Sequence, residues 1–131
     1  MSSTETKLSE VFAVLTPGLR VDTVPVSPTL YPDLDSNYDG FKGHVLIAEH
    51  RFTEAWPTWE MHPAGDEVVV LMSGRVEMVL RRDGADESVW LTQPGAFVVV
   101  PRGTWHTARP SEETRMLFIT PGEGTENRAE V

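Results

Sequence analysis

Three side chains that bind metal ions well lie within a short stretch of the sequence. Glu60 and His62 are two residues apart on a predicted strand, so they point to the same face of that strand. A turn over residues 63–66 reverses the chain, and Glu67 opens the returning strand, where it can come back beside the other two. Imidazole and carboxylate together suit Fe, Mn, Ni, Co or Zn better than Ca or Mg. The stretch therefore predicts part of a site for one divalent transition metal ion.

A second stretch adds a fourth candidate ligand. His106 follows a predicted strand over residues 96–100 and a sharp turn that contains Pro101 and Gly103. On a small closed barrel this histidine can face the same interior as the first three side chains. Cysteine is absent, which excludes thiolate ligands, disulfides and cysteine nucleophiles. The candidate metal ligands are therefore Glu60, His62, Glu67 and His106.

The elements that must position these residues are predicted to be short strands. From Phe41 onward the hydrophobic pattern has a period of two, and turn residues interrupt it regularly. The predicted strands cover residues 44–52, 58–62, 67–72, 75–82, 87–91, 96–100, 104–109 and 113–120. Many short strands with tight turns indicate an all-β, double-sheet jelly roll.

The first stretch resembles the first motif of the cupin superfamily. The residues that carry the resemblance are spaced as Glu60-x-His62-x4-Glu67-x6-Gly74. The family's motif usually opens with Gly and begins its ligand pair with His, and here those positions are Glu54 and Glu60. The departure concerns Glu60 as a ligand and hardly touches the fold.

The second stretch is similar to the second cupin motif. Its residues are spaced as Gly95-x5-Pro101-x-Gly103-x2-His106, and the family's Asn after the last His is replaced by Pro110. The ordered pair of motifs implies the double-stranded β-helix, or jelly-roll barrel, of the small single-domain, RmlC-like cupins. It also implies one divalent metal ion held inside the barrel by the matching residues.

The resemblance covers residues 41–120 and divides the chain into three parts. We expect an N-terminal arm and wrapping segment over residues 1–40, the barrel over residues 41–120 and a flexible tail over residues 121–131. Within the first part, a weakly helical patch predicts a short arm or helix over residues 1–16. Prolines then keep residues 19–37 extended, with one edge strand near their start.

Two forms of the site stay open at this point. If Glu60 binds, two carboxylates cancel the charge of a divalent ion and favour higher oxidation states of Fe or Mn. If it does not bind, His62, Glu67 and His106 remain as a 2-His-1-carboxylate set with open positions. Aromatic residues flank the site, and Trp56, Trp59 and Trp105 are each either core or pocket lining.

Two functions follow from the resemblance, and the sequence leaves both open. One is a metal-dependent enzyme, an oxidoreductase of the dioxygenase kind or an isomerase, that binds a small organic molecule. The other is a non-catalytic sensor or binding module that uses the same pocket. A titratable group other than the ligands would favour the enzyme if it reached the pocket. His44 and His50 share one face of the strand over residues 44–52, where one can reach the cavity or both have a core or interface role.

The amino-acid composition limits the classes of partner that this chain can bind. The formal net charge of −9, without any local block of Lys or Arg, argues against nucleic-acid and membrane partners. No stretch has the ~20 apolar residues of a membrane span, and the N-terminal residues lack the apolar core of a secretory signal, so we expect a cytoplasmic location. Residues 68–72 are apolar at every position, which predicts a strand buried on one face inside the barrel and on the other under another element or another subunit. We therefore expect a homodimer.

Overall fold

The computed structural model describes residues 4–131 of the chain, and its regular structure is almost all β. The elements are β1 (Val11–Leu15), β2 (Val21–Pro25), helix α1 (Leu30–Asn37), a 3-10 turn (Asp39–Phe41), β3 (Val45–Phe52), β4 (Trp59–Met61), β5 (Glu67–Ser73), β6 (Val76–Arg82), β7 (Ala85–Leu91), β8 (Phe97–Val100), β9 (Trp105–Pro110), β10 (Thr114–Thr120) and β11 (Glu126–Arg128). Antiparallel pairing joins them into a six-stranded sheet, in the order β2-β1-β3-β10-β5-β8, and a five-stranded sheet, in the order β11-β4-β9-β6-β7. This is the all-β, double-sheet jelly roll that the sequence predicts.

The two sheets enclose the main hydrophobic core because each strand buries alternate residues. In β10, for example, Met116 and Phe118 are buried while the residues on either side of them are only partly buried or polar. Both sheets contribute to the cluster, which consists of Val69, Leu71, Val76, Met78, Leu80, Leu91, Val98, Val100, Ala108, Met116 and Phe118. All eight strands predicted from Phe41 onward are present, with ends that differ from the prediction by at most two residues.

Within residues 4–131, β5 is fully buried on one face only. Val69 and Leu71 are fully buried in the core, but Val68 and Val70 are only half-buried and Met72 is exposed. β5 lies between β10 and β8, so its second face belongs to the outer surface of the six-stranded sheet. Residues 4–131 cover this face only in part, and its burial under another subunit stays a prediction.

The N-terminal segment contains a strand where the sequence predicts an arm or helix. β1 pairs with β2 on one side and with β3 on the other, so it is an internal strand of the six-stranded sheet. Phe12 and Val14 are buried and their neighbours in β1 are half-buried, which is the period of two and not the helical period. The predicted edge strand is confirmed as β2.

Helix α1 replaces the extended chain that the prolines predict. Pro32 is the third residue of the helix, where its missing N–H costs no hydrogen bond because the first turn has no intrahelical acceptor. Leu30 and Leu34 lie on one face and are buried in a second cluster with Phe12 and Phe41. The helix therefore packs against β1 and β3 of the six-stranded sheet. Among residues 4–131 no helix is long and apolar enough to cross a membrane.

The C-terminal segment is tied to the barrel, which corrects the expectation of a flexible tail over residues 121–131. β11 pairs with β4, with Asn127 opposite Glu60. Thr125, just before β11, donates a hydrogen bond to the carbonyl of Gly122. These contacts bring the segment to the edge of the five-stranded sheet that carries Glu60.

Gly74 ends the first motif for a steric reason. Its φ is +91°, and a Cβ at this position would overlap the Glu113 carbonyl and come within 2.7 Å of the Thr114 Cα. Only glycine fits this backbone and this contact. The close approach lets the turn after β5 pack against the start of β10.

Candidate metal centre

The strand register brings the four candidate ligands together. Glu60 on β4 and His106 on β9 are direct cross-strand partners in the five-stranded sheet. His62 lies just beyond the end of β4, on the same face as Glu60, and Glu67 opens β5 in the opposite sheet. The two sheets therefore supply ligands from both sides of the barrel interior.

Hydrogen bonds between two turns hold the motifs in place. The Gly103 N–H donates to the His62 carbonyl at 2.9 Å. The Arg102 N–H donates to Asp66 Oδ1 at 2.8 Å, and the Arg102 guanidinium donates to the Ala64 carbonyl at 2.9 Å. These bonds join the turn after β4 to the turn before β9. They therefore help to set the distance between His62 and His106.

One potential ligand atom from each residue lies within 4.8 Å of the others. His62 Nε2 lies 2.9 Å from Glu60 Oε1 and 3.2 Å from Glu67 Oε2. His106 Nε2 lies 3.2 Å from Glu67 Oε1 and 3.9 Å from Glu60 Oε1. The side chains of His62, Glu67 and His106 are 4%, 1% and 0% exposed, whereas that of Glu60 is 27% exposed.

These short separations are not well-aligned hydrogen bonds. His62 Nε2, His106 Nε2 and Glu67 Oε1 are buried and lack a partner with hydrogen-bond geometry within the described chain. A buried polar atom without a partner is costly, so such a concentration of them calls for a ligand. Two imidazole nitrogens and two carboxylates that converge on one point form a donor set suited to a divalent transition metal ion.

The outer nitrogens of both histidines are held by main-chain and hydroxyl groups. His106 Nδ1–H donates to the Thr104 carbonyl at 3.0 Å. His62 Nδ1–H donates to Thr125 Oγ1 at 2.8 Å, because the Thr125 hydroxyl hydrogen is used on the Gly122 carbonyl. Both rings therefore direct Nε2 inward, and such outer partners fix ring orientation in metal sites.

Glu67 is oriented in the same way. The Thr120 hydroxyl donates to Glu67 Oε2 at 2.5 Å, from the neighbouring strand β10. The bond restrains the carboxylate and leaves Oε1 directed at His106. Thr104, Thr120 and Thr125 thus support three of the four candidate ligands.

In the metal-free site, the charges of the histidines and carboxylates determine the pKa values of His62 and Glu67. Burial acts to lower the pKa of His62, but the carboxylates of Glu60 and Glu67 outweigh it and raise that pKa to about 9. Burial acts to raise the pKa of Glu67, but His106 and His62 outweigh it and lower that pKa to about 2. His62 therefore carries a proton at Nε2 at neutral pH, and a metal ion must displace that proton to bind.

Comparisons with known proteins agree with this architecture. No protein-family model matches the sequence, and no curated protein matches it. A structure of oxalate oxidase has a TM-score of 0.53 and 21% identity over 62% of this chain and 44% of that chain. A variant of Bacillus subtilis oxalate decarboxylase has a TM-score of 0.54 and 20% identity over 64% of this chain and 23% of that chain. Both are cupins.

The chain has the cupin fold. A cupin-2 domain protein from Shewanella frigidimarina is also similar, with a TM-score of 0.48 and 23% identity over 64% of this chain and 71% of that chain. The alignments span less than half of the oxalate oxidase chain and about a quarter of the decarboxylase chain.

The cupin barrel contains a cavity of about 860 Å³ that is lined by three of the four candidate ligands, Glu60, His62 and Glu67. Much of its wall is apolar and consists of Phe41, Leu46, Ala48, Phe52, Trp56 and Phe118. Tyr31 from α1 and His50 from β3 add polar groups to the same wall. A space of this size and lining is typical of small-molecule sites.

The structure brings together all four residues that the cupin motifs indicate, and their role as metal ligands stays a prediction. Of the three tryptophans, Trp56 lines the cavity. Trp59 and Trp105 instead lie under the guanidinium groups of Arg81 and Arg128, at 4.4 Å and 4.9 Å from the ring centres.

Several residues at the site are not predicted from the sequence. Tyr31 sits in the proline-rich segment that was expected to be extended, so no pattern placed it near the barrel. Thr120 and Thr125 hold ligands across strands that are distant in sequence. Only the face shared by His44 and His50 contained a usable signal, and of these two His50 reaches the cavity.

Proposed function

We propose that this protein is a metal-dependent enzyme that binds one divalent transition metal ion at Glu60, His62, Glu67 and His106, and a small oxygen-bearing organic molecule in the adjoining cavity. The observation that carries the proposal is the convergence of buried donor atoms that have no aligned hydrogen-bond partner. A bound ion would supply Lewis-acid or redox chemistry to an oxygen-bearing ligand.

The donor set favours some metals over others. Copper(I) prefers soft sulfur ligands, and calcium and magnesium prefer all-oxygen ligands. A set of two imidazoles and two carboxylates suits none of these three ions. The two negative charges balance a divalent ion and also stabilise higher oxidation states, which among Fe, Mn, Ni, Co and Zn favours Fe or Mn. Because the carboxylates neutralise the charge of the ion, the site also attracts highly charged anions less strongly.

Glu60 is the exchangeable ligand in this proposal. Its carboxylate is the most exposed of the four, and it lines the cavity. No hydroxyl or amide within residues 4–131 donates a side-chain hydrogen bond to it, whereas Thr120 restrains Glu67. Release of Glu60 would leave His62, Glu67 and His106 on the ion, with positions open toward the cavity.

The walls of the cavity support an organic ligand with an apolar body. Phe52, Trp56 and Phe118 form a cluster with ring centres 5.3 to 6.2 Å apart. Such a wall excludes water and contacts aromatic or aliphatic groups. The ligand's oxygen atoms would then face the metal site.

Titratable groups other than the ligands favour an enzyme over a sensor or binding module. Tyr31 and His50 both line the cavity, and neither is placed to bind the same ion as the four ligands. Groups of this kind can transfer protons to or from a bound molecule, which is a step that an enzyme uses and a binding module does not require. The sensor or binding module stays the second candidate.

Metal content tests the site directly. Protein purified without added metal should contain about one equivalent of a transition metal, and a His62→Ala/His106→Ala variant should contain almost none. His44→Ala is the matched control, because His44 hydrogen-bonds to the Lys42 carbonyl and lies outside the cavity lining. Equal metal content in the wild type and the double variant, with both folded by circular dichroism, would contradict the proposed site.

Oxygen uptake by the Fe(II)-loaded protein tests catalysis. The substrates to try are small diketones, catechols and thiols, each with and without the metal. Uptake that requires both the metal and one substrate class supports the enzyme. Tight binding of a compound without turnover would support the binding module instead.

The homodimer also stays a proposal. The outer face of the six-stranded sheet supports it, because Phe97 and Val99 are 60% and 42% exposed beside the half-buried Val68 and Val70. Analytical ultracentrifugation should give twice the chain mass of 14.6 kDa, and Phe97→Lys should give the monomer. A monomeric wild type would overturn the homodimer.

The cytoplasmic location stays a prediction from composition.

A further inference from the structure

We propose that Tyr31 and His50 form the acid–base pair of the cavity: the Tyr31 hydroxyl contacts the bound organic molecule and relays one of its protons to His50. The inference rests on the proposed metal and small-molecule site and assigns it a proton acceptor. Neither residue belongs to the two motifs that identify the metal site.

The two side chains meet across elements that are distant in sequence. Tyr31 on α1 places its hydroxyl oxygen 3.1 Å from Nε2 of His50 on β3. Both residues line the cavity that also contains Glu60, His62 and Glu67. Tyr31 is 55% exposed, so its side chain contacts His50 and also remains accessible to a molecule in the cavity.

Aromatic rings fix the position of the His50 imidazole. The ring centres of Phe12, Phe118 and Phe52 lie 5.3, 5.7 and 6.0 Å from that of His50. These rings pack against the imidazole without forming hydrogen bonds to its nitrogens, so Tyr31 is the side chain that bonds to Nε2. A proton acceptor held this rigidly is ready for transfer without rearrangement.

The surroundings set the direction of the hydrogen bond. Burial lowers the pKa of His50, although Glu60 and Glu49 act in the opposite direction, so the imidazole is neutral at pH 7. Desolvation of the hydroxyl and the charges of Glu60 and Glu67 raise the pKa of Tyr31 to about 12. The Tyr31 hydroxyl therefore donates to His50 Nε2. Other charged groups on the cavity wall are Asp35 from α1, Arg51 from β3 and Glu54 from the loop after it.

The proton transfer is balanced without any further reactant. The O–H bond of the ligand breaks and its proton moves to the Tyr31 oxygen, while the Tyr31 proton moves to His50 Nε2. The products are a ligand oxyanion, an intact Tyr31 hydroxyl and a His50 imidazolium. The oxyanion forms beside the metal site, and no electron is transferred.

A purely structural role makes different predictions. If the Tyr31–His50 bond only fastens α1 to the barrel, its loss would lower the thermal stability and leave ligand ionisation unchanged. A relay changes the pH at which the ligand ionises. The test therefore measures ligand ionisation and unfolding separately.

The probe is 4-nitrocatechol, whose colour reports its ionisation, with the Zn(II)-loaded protein. In Tyr31→Phe and His50→Gln we expect the ionisation of the bound probe to move upward by about one pH unit and its Kd at pH 7 to rise about tenfold. The double variant should behave like either single variant, because both residues act in one relay. The sequence provides matched controls in Tyr38→Phe and His44→Gln, since Tyr38 and His44 are the remaining tyrosine and non-ligand histidine.

A probe-free measurement accompanies it. The NMR titration of the His50 ring should move to higher pH in Tyr31→Phe, because the hydroxyl no longer stabilises the neutral imidazole. An unchanged His50 titration would overturn the pair. So would wild-type ionisation of the probe in both single variants, or a Zn(II)-loaded wild type that does not bind the probe. Loss of Zn(II) from the wild type would instead count against the proposed metal site, while the His50 titration still tests the pair.

Discussion

Glu67 Oε1 lies 3.2 Å from His106 Nε2, although Glu67 opens β5 of the six-stranded sheet and His106 belongs to β9 of the five-stranded sheet. Both side chains are almost fully buried. The pair exists only when the two sheets are closed on each other. Metal binding at this point is therefore linked to the folding of the barrel.

The first prediction concerns this linkage. A metal ion added at about 1,000 times its Kd should stabilise the protein by about 4 kcal/mol and raise its Tm by about 15 °C. Thermal unfolding followed by circular dichroism, with metal and with EDTA, measures the difference. His106→Ala should lose the response, and His44→Ala should keep it. A Tm that is the same with metal and with EDTA would contradict the linkage.

The second prediction concerns pH. In the metal-free protein the pKa of His62 is raised from 6.5 to about 9, so its contribution to stability is complete below pH 6.5 and is lost as the pH rises through about 9. The pKa of Glu67 is lowered from 4.5 to about 2, so its contribution is complete above pH 4.5 and is lost as the pH falls through about 2. The Tm in EDTA should therefore fall from pH 6.5 to pH 9.

The metal reverses this trend on the alkaline side. Since the ion must displace the His62 proton, its stabilising effect grows as the pH rises from 6.5 to 9. Tm measured with and without metal across this range should diverge. In His62→Gln the alkaline fall of the metal-free Tm should disappear, and a fall of the same size would rule out His62 as its cause.

The third prediction concerns the hydroxyls behind the ligands. Thr125→Val removes the acceptor of His62 Nδ1–H, and Thr120→Val removes the donor to Glu67. Each should weaken metal affinity by about 10-fold or more, measured by competition with a chromophoric chelator. Thr114→Val is the control, since Thr114 is also buried but its hydroxyl donates to the Arg75 carbonyl, away from the candidate ligands. It should lower stability and leave metal affinity unchanged.

The fourth prediction distinguishes the two forms of the site. Glu60→Gln keeps the shape of the side chain but leaves one carboxylate to balance the ion. Metal affinity should fall about 10-fold or more, and azide should bind the loaded site more tightly because the centre gains a positive charge. Glu54→Gln, which alters another cavity carboxylate, should change neither quantity strongly. Unchanged metal affinity in Glu60→Gln would favour the three-ligand site.

The fifth prediction concerns two motif glycines. Gly74→Ala combines a positive φ with overlap against Glu113 and Thr114, and should cost about 3 kcal/mol or more. Gly103 has a φ of +74° but open space around its Cα, so Gly103→Ala should cost only about 1–2 kcal/mol. Urea unfolding gives both values. Equal costs would mean that the backbone shifts to relieve the overlap at Gly74.

The sequence by itself was sufficient for the barrel strands and the positions of the four candidate ligands. The period of two identifies the strands from β3 to β10, because one face of each must be buried. The spacing of Glu60 and His62 puts them on one face for the same reason. Gly74 and Gly103 mark turns because few other residues accept a positive φ. These are local constraints, and a single sequence contains them.

The tertiary structure alone decided the rest. Tyr31 meets His50 because α1 packs against β1 and β3, and Thr125 meets His62 because β11 pairs with β4. Neither contact leaves a periodic pattern in the sequence, since each joins segments through long-range packing. The sequence thus determined a barrel with four candidate metal ligands, and the packing of its two terminal segments determined which groups hold those residues and which line the cavity.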